Sequence, residues 1–172
     1  RIESRGLGDV YKRQAPHIWN GDELGMWGAD DPDCRKPLLW GNIDHNPQIF
    51  APDGSQGKAI AVTPNQERFS YQKKLISLRR GRLEWTRGST HFLHSNDENL
   101  TLAYLRKTDH HRSLIAFNLS NKPRILSLDN LAASDFEVLV ESSSEALLSG
   151  TIEGRSLRLK LAPLSGLALD LN

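Results

Sequence analysis

The sequence predicts an α+β chain in which a single long helix is followed by an all-β sandwich domain. Helix start and stop signals bracket an amphipathic stretch between Thr63 and Gly81. From about Ser89 onward, short β-like runs recur at intervals of about 8 to 12 residues, as in sandwiches with Greek-key connections. The chain has 172 residues, of which 38% are hydrophobic and 25% charged, so it can bury a core of useful size.

The first 14 residues, RIESRGLGDVYKRQ, differ from the rest of the chain. They lack a starting Met and an apolar signal core, and every residue from Ser4 to Gln14 matches the translation of a transposase-type sequencing adapter. The alternative is a basic arm or a phosphate loop, but a dinucleotide fingerprint needs a preceding strand and a third glycine at the right spacing. We expect residues 1–14 to be non-native and the natural start of the protein to be missing. The sequence therefore predicts no localisation.

A short apolar run, APHIW at residues 15–19, ends in the turn-prone Asn20-Gly21-Asp22. This pattern predicts the end of a buried strand that opens into a loop. Residues 20–62 are rich in Gly, Pro, Asp and Asn and show no sustained period, which predicts an unusually long loop. Four aromatic residues in and beside this segment argue against disorder: Trp19, Trp27, Trp40 and Phe50.

The predicted helix follows this loop. Thr63-Pro64-Asn65-Gln66 supplies an N-cap, a proline at the first helical position and a glutamine three residues after the cap, which is a capping box. Apolar residues then recur at three- and four-residue steps as far as Leu83, and Gly81 lies where a C-cap is expected. We expect the apolar face of this helix to pack inward.

The predicted β-module occupies residues 88–172. Its strands are read from seven runs: THFLH, LTLAYLRK, SLIAFNLS, RILSL, FEVLV, SLRLKLA and GLALDL. Asn, Asp, Gly, Pro or Ser separates the runs, as expected for connecting turns.

The segment around residues 15–40 resembles a known family. APHIWNGDELG is similar to the last barrel strand and following loop of the α-amylase superfamily, usually written G-x-P-x-[IL]-[YW]-x-G-D-E-x-G. The continuation DDPDCRKPLLW resembles neopullulanases, cyclomaltodextrinases and maltogenic amylases, which carry G-M-x-G-x-x-D-P-x-C/N-R-x-P-M-x-W. Trp19-Asn20 and Leu38 depart from the common Tyr-Tyr and Met, so no subfamily is assigned. The resemblance covers essentially everything after residue 14.

This resemblance implies a C-terminal piece of a retaining glycoside hydrolase acting on α-1,4-glucans such as maltodextrin, cyclodextrin, pullulan or starch. Residues 15–87 would be the last βα unit of a (β/α)8 barrel, with strand eight, the substrate loop and helix eight. Residues 88–172 would be the C-terminal β-sandwich domain. The family's catalytic Asp, Glu and second Asp lie on earlier barrel strands. No residue of this sequence therefore receives a catalytic role, and the chain alone is expected to be inactive.

Three residues of the loop are candidates for substrate binding. Family members use the Asp and Arg of the D-P-x-x-R motif, here Asp31 and Arg35, to hydrogen-bond a glucose unit on the non-reducing side of the cut. A carboxylate accepts from sugar hydroxyls and a guanidinium donates to them. The alternative is a local salt bridge that orders the loop, and the two roles are compatible. Trp27 is equally suited to stacking on a glucose ring or anchoring the loop, whereas Trp40 is predicted to be loop core.

The neighbouring acidic residues Asp22 and Glu23 are interpreted as structural. Adjacent strand residues point to opposite faces, so the pair cannot flank one glycosidic bond as acid and nucleophile. We expect them to hold the junction between strand and loop through hydrogen bonds.

Charge and composition limit the kinds of partner that this chain is expected to bind. Twenty-two basic and 21 acidic residues leave a net charge of +1, which does not favour nucleic acid or anionic lipid. A neutral α-glucan oligosaccharide or polysaccharide fits better. Cys34 is the only cysteine, and the six histidines lack the paired spacing of a zinc site. No cofactor or metal is predicted, because calcium in some relatives is bound elsewhere and Asp44–Asn46 is too sparse a ligand set. The oligomeric state is not predicted.

Two other functions remain open at this point. One is a non-catalytic carbohydrate-binding module formed by the β-domain. Phe92, Tyr104, Phe117 and Phe136 lie mostly in runs that suit core packing, which argues against such a module. The other is an α-glucosidase or trehalose-forming relative, since these share the D-P-x-x-R-x-P region.

Overall fold

A computed structural model describes residues 17–28, 31, 33–51 and 53–172 of the chain. The chain forms two compact units, divided between Lys74 and Leu75. The first unit contains two 3-10 turns, Asp22–Leu24 and Asp33–Arg35, and a hairpin of strands β1 (Gln48–Phe50) and β2 (Gln56–Ile60). Helix α1 (Gln66–Gly81) begins in the first unit, and the short helix α2 (Leu83–Thr86) follows it. No described helix is long and apolar enough to cross a membrane.

The strand predicted at residues 15–19 is not seen in its described part. Residues 17–19 have no regular structure, and residues 15 and 16 lie outside the described residues. A strand forms only where a neighbour takes up its backbone hydrogen bonds, and within the described ranges no strand pairs with this segment. Its backbone instead enters the first 3-10 turn, where the Asp22 amide donates to the Trp19 carbonyl at 3.0 Å.

The hairpin β1–β2 lies in a region that the sequence predicted to be loop throughout. Its turn is closed by the Gly54 amide, which donates to the Ala51 carbonyl at 2.8 Å. The Asp53 carboxylate accepts from the Ser55 hydroxyl at 2.6 Å and from the Ser55 amide at 2.9 Å. These bonds lower the pKa of Asp53 below its ordinary value. The hairpin was missed because its strands are short and β2 is exposed along its whole length, so no alternation marks it.

The N-cap of helix α1 lies two residues later than predicted. Its first residue is Gln66, and the Arg68 amide donates to the Asn65 side-chain oxygen at 2.9 Å, which makes Asn65 the N-cap. The capping box assigned to Thr63 is therefore wrong. Asn is as strong an N-cap as any residue type, and it lies closer to the helix than Thr63. The Asn65 amide is also held, by the Leu24 carbonyl at 2.9 Å.

The other end and the inner face of α1 also differ from the prediction. Gly81 is the last helical residue rather than a left-handed cap, and Leu83 starts α2 instead of continuing α1. No residue of α1 is buried, and Ile76 is 44% exposed. The apolar face is present in the sequence, but the described residues do not cover it.

The second unit contains the predicted β-sandwich. Its eight strands are β3 (Ser89–Asn96), β4 (Thr101–Lys107), β5 (Arg112–Asn118), β6 (Arg124–Leu128), β7 (Phe136–Glu141), β8 (Leu147–Glu153), β9 (Ser156–Leu161) and β10 (Ser165–Leu171). A five-stranded sheet has the order β3-β4-β5-β10-β7, and a three-stranded sheet has the order β6-β9-β8. All observed pairings are antiparallel. Strand β10 lies between β5 and β7, so the last strand of the chain pairs with two strands that come earlier in the sequence.

The core lies between these two sheets. Leu114 and Leu169 from the larger sheet and Leu126 and Leu159 from the smaller one belong to a single cluster and are each 0% exposed. Inward-facing leucines alternate with exposed residues along β6 and β9, which is the pattern that identified these strands in the sequence.

One strand of the sandwich was not predicted. Strand β8 has the sequence LLSGTIE, whose serine and glycine suggest a turn. The glycine has a packing role instead, because a Cβ atom at Gly150 would lie 2.6 Å from the ring of Phe136. Gly150 therefore provides the space into which that ring packs.

A buried ionic cluster ties α2 to the larger sheet. The Glu84 side chain is 1% exposed and accepts from Arg82 at 2.8 Å and from the Ser113 hydroxyl at 2.6 Å. Arg82 also donates to Asp170 on β10 at 2.5 Å. Burial opposes the ionisation of Glu84, but these hydrogen bonds outweigh it and lower the pKa of Glu84.

Candidate functional site

The candidate site is the loop between Asn20 and Trp40, which starts in a tight turn. Gly21 has a left-handed backbone with φ of 94°, and its carbonyl accepts from the Met26 amide at 2.9 Å. A Cβ atom at this position would lie 2.7 Å from the sulfur of Met26. Glycine is required here for both its conformation and its size.

The acidic pair lies within this turn. The Glu23 carboxylate accepts from the Gly21 amide at 3.0 Å, and the Asp22 carbonyl accepts from the Gly25 amide at 3.2 Å. Asp22 is exposed and Glu23 is partly buried. Glu23 closes the turn by this contact.

Asp31 and Arg35 meet directly. A guanidinium nitrogen of Arg35 lies 2.7 Å from a carboxylate oxygen of Asp31, and the Arg35 and Asp31 side chains are 75% and 52% exposed. Arg35 is carried by the second 3-10 turn. An ion pair this exposed contributes little to stability, because both charges remain hydrated. The pair nevertheless presents a donor fork and an acceptor side by side at the surface.

Trp27 is packed against a residue that sequence reasoning did not single out. The ammonium nitrogen of Lys36 lies 5.0 Å from the centre of the Trp27 ring and donates to the Trp27 carbonyl at 2.8 Å. Lys36 therefore fixes the tryptophan through a cation–π contact and a hydrogen bond. The sequence feature that could have identified Lys36 is its position next to Arg35 in the motif. Trp27 is 37% exposed, so part of its surface faces solvent.

The prediction that Trp40 is loop core is wrong. Trp40 is 57% exposed, whereas its neighbour Leu39 is 8% exposed and takes the inward position. The backbone turns sharply at Leu39, where the Trp40 amide donates to the Leu38 carbonyl at 2.8 Å.

The described residues also include the cysteine and several possible metal ligands. Cys34 is exposed. Within the described ranges no group of three or more His, Cys, Asp or Glu side chains is placed to hold a metal ion.

Comparison with known proteins identifies relatives of this chain. The chain is 30% identical over 112 residues to neopullulanase 2 of Thermoactinomyces vulgaris, covering 64% of this chain and 16% of that protein. It is 32% identical over 108 residues to a cyclomaltodextrinase of Geobacillus thermopakistaniensis, covering 63% of this chain and 15% of that protein. The chain therefore spans only about a sixth of the length of these relatives. No protein-family model matches the sequence.

A solved structure shares the fold. A debranching enzyme of Nostoc punctiforme superposes with a TM-score of 0.66 at 22% identity, covering 99% of this chain and 33% of that one. At this level of identity the likeness concerns the fold alone. The sequence relatives and the structural neighbours are both α-amylase-family enzymes, which confirms the resemblance that the motifs indicated.

Proposed function

From this confirmed resemblance to the α-amylase family, we propose that the chain is the C-terminal part of a retaining glycoside hydrolase that acts on α-1,4-glucans. Residues 15–87 supply the last βα unit of its (β/α)8 barrel, and residues 88–172 supply its C-terminal β-domain. The observation that carries the proposal is the exposed Asp31–Arg35 pair, on the loop whose sequence resembles the maltodextrin-acting members.

The pair is suited to hold one glucose unit. The Asp31 carboxylate accepts hydrogen bonds from sugar hydroxyls, while the guanidinium of Arg35 donates to hydroxyl oxygens from a planar fork. Their mutual 2.7 Å contact places the donor fork and the acceptor side by side, so one sugar unit can reach both groups. The salt bridge and the binding role are therefore compatible.

Trp27 adds an aromatic surface to the same loop. Lys36 lies over one face of the ring, so we expect a glucose ring to stack on the opposite face. Lys36 also keeps the indole in place through its bond to the Trp27 carbonyl. Asp22 and Glu23 hold the turn that leads into this loop and take no part in bond cleavage.

Uncovered apolar side chains support the assignment of residues 15–87 to a barrel. Trp19 is 64% exposed, Ile60 52% and Ile76 44%. Large apolar side chains that stay exposed are often covered by another structure. Neighbouring strands and helices of a barrel provide such a contact, and they also carry the family's catalytic carboxylates.

The proposal is tested by removing the guanidinium of Arg35. We expect Arg35→Ala to weaken maltotriose binding by about tenfold, as loss of a charge-assisted hydrogen bond does. Tryptophan fluorescence of the 172-residue chain provides the titration signal. Arg35→Lys keeps the charge but loses the fork, so it should restore little of the affinity.

Arg80→Ala is the matched control, because Arg80 is an exposed arginine on α1 and not part of the loop sequence. It should bind maltotriose like the parent chain. Equal affinities for the parent, Arg35→Ala and Arg80→Ala would refute a sugar-binding role for the pair.

A further inference from the structure

We propose that strand β6 of the β-domain is an interaction surface, through which two copies of this chain pair edge to edge in antiparallel orientation. The three-stranded sheet of each copy, with the order β6-β9-β8, then becomes half of one continuous sheet. The β-domain alone carries this surface, so the dimer does not depend on the proposed glucan binding.

Strand β6 differs from the other edge strands of the sandwich. The edges are β3 and β7 in the larger sheet and β6 and β8 in the smaller one. In β3, β7 and β8 one extra residue interrupts the pairing with the neighbouring strand, namely Leu93, Leu139 and Leu148. Such bulges twist an edge away from further pairing. Strand β6 pairs with β9 from Arg124 to Leu128 without a bulge, so its free side is regular.

The backbone hydrogen bonds of β9 alternate between its two neighbours. Glu153 pairs with Ser156 across a two-residue turn, and Gly154 at the first turn position has φ of 62°, as in a type II′ hairpin. Ser156 is therefore bonded to β8, and every second residue after it faces the same way. The Leu131 amide, beyond the end of β6, donates to the Arg155 carbonyl at 2.8 Å, which agrees with this alternation. The residues of β9 that face β6 are Leu157, Leu159 and Leu161.

This alternation identifies the free backbone groups of β6. The residues of β6 that pair with the three leucines, and so bond to β9, are Leu128, Leu126 and Arg124. The two residues between them, Ile125 and Ser127, point their amides and carbonyls away from the sheet. No strand among the described residues takes up these groups. They form a template for pairing with a further strand.

The sequence of β6 suits a second copy of the same strand. Antiparallel pairing centred on Leu126 places Ile125 opposite Ser127 of the second copy, so the outward amides of each copy donate to the outward carbonyls of the other. Ile125 is 53% exposed and packs diagonally against Ile125 of the second copy. Arg124 lies opposite Leu128 of the second copy, so no like charges face each other directly.

The charges at the two ends of β6 are also self-complementary. Lys122 and Arg124 lie at the start of the strand, and Asp129 follows its end. Antiparallel pairing brings the basic start of each copy next to the acidic end of the other. Pro123 has no amide to donate, so the pairing stops at Arg124. A foreign strand of a single charge is matched at only one end, and a second copy is matched at both.

The first test is amide hydrogen exchange of the full 172-residue chain, followed by NMR at about 10 µM and about 1 mM. A single strand pair is a small interface, so we expect a dissociation constant on the order of 100 µM. The amides of Ile125 and Ser127 should exchange about fivefold more slowly at the higher concentration, because most chains are then paired. The Leu126 amide is bonded to β9 and should be equally protected at both concentrations.

The second test measures dimerisation of variants by analytical ultracentrifugation. Ile125→Lys places two like charges diagonally across the interface and should weaken dimerisation by at least about tenfold. Ser127→Pro removes an outward amide from each copy, a change that edge strands tolerate, and should also weaken it by about tenfold. Thr151→Lys is the matched control, because it adds the same charge at an exposed position of β8, the other edge of this sheet. It should change the dissociation constant by less than about twofold.

Two outcomes overturn the proposal. A chain that stays monomeric at about 1 mM has no such interface. A dimer that forms equally well with Ile125→Lys, Ser127→Pro and Thr151→Lys, and leaves the Ile125 and Ser127 amides unprotected, uses another surface. Neither outcome affects the proposed glucan binding, which the Arg35 variants test separately.

Discussion

The 172-residue chain alone is expected to leave maltoheptaose uncleaved. Retaining hydrolysis needs a nucleophile and an acid/base whose carboxyl groups lie about 5 Å apart on either side of the bond. The adjacent Asp22 and Glu23 do not provide such a pair, because Glu23 bonds back to the Gly21 amide at 3.0 Å and closes the turn. The release of reducing ends, measured over hours at high protein concentration, should equal that of the buffer.

The assay needs a positive control and a variant that locates any activity. Neopullulanase 2 of Thermoactinomyces vulgaris provides the first. The double change Asp22→Asn and Glu23→Gln provides the second. Turnover by the parent chain that this double variant abolishes would show that the pair is catalytic, and the interpretation of the loop as a binding element alone would be wrong.

Glu84→Ala is expected to lower the free energy of unfolding of the β-domain by about 2 to 4 kcal/mol. The Glu84 carboxylate is 1% exposed and accepts from both Arg82 and Ser113, so its removal leaves a buried hydroxyl unpaired and a cation with one partner fewer. Urea unfolding of the chain followed by circular dichroism measures the change. Glu84→Gln keeps the shape and one acceptor, so its loss should be smaller.

The stabilisation by Glu84 should also depend on pH. The pKa of Glu84 is lower in the folded chain than in the unfolded one, so its contribution is present above the unfolded pKa and disappears as the pH falls through the folded value. The difference between the parent and Glu84→Ala should therefore be constant near neutrality and shrink below about pH 4. Glu153→Ala, at an exposed position of β8, is the control and should cost little at any pH. A pH-independent difference would contradict the ionic origin.

The β-domain was largely predictable because its strands carry their own signal. In β6 and β9 the leucines alternate with exposed residues, and this pattern depends only on the local backbone geometry. Strand β8 has no such alternation. Its Gly150 leaves space for the ring of Phe136, which lies on another strand, so this role cannot be read from the sequence of β8. The burial of Phe92 also could not be predicted from its strand alone. Its run suits core packing, but Phe92 is 51% exposed on the edge strand β3.

The candidate site was predictable in its residues but not in its geometry. The D-P-x-x-R motif located Asp31 and Arg35, and the structure places them 2.7 Å apart. Two features depend on the tertiary structure of the loop and cannot be read from the local sequence. They are the contact between Lys36 and Trp27 and the exposure of Trp40. The exposure of apolar residues in the first unit was not predictable for the same reason, because burial depends on neighbours that are far away in the sequence.

We propose that the loop from Asn20 to Trp40, rather than the β-domain, recognises an α-glucan. The most direct test adds maltotriose to the ¹⁵N-labelled chain and follows each backbone amide by NMR, with the β-linked cellotriose as the control sugar. We expect maltotriose to shift the amides around Trp27, Asp31 and Arg35 and cellotriose to shift none of them. Shifts confined to residues 89–171, with the loop amides unchanged, would contradict the account and indicate a carbohydrate-binding β-module.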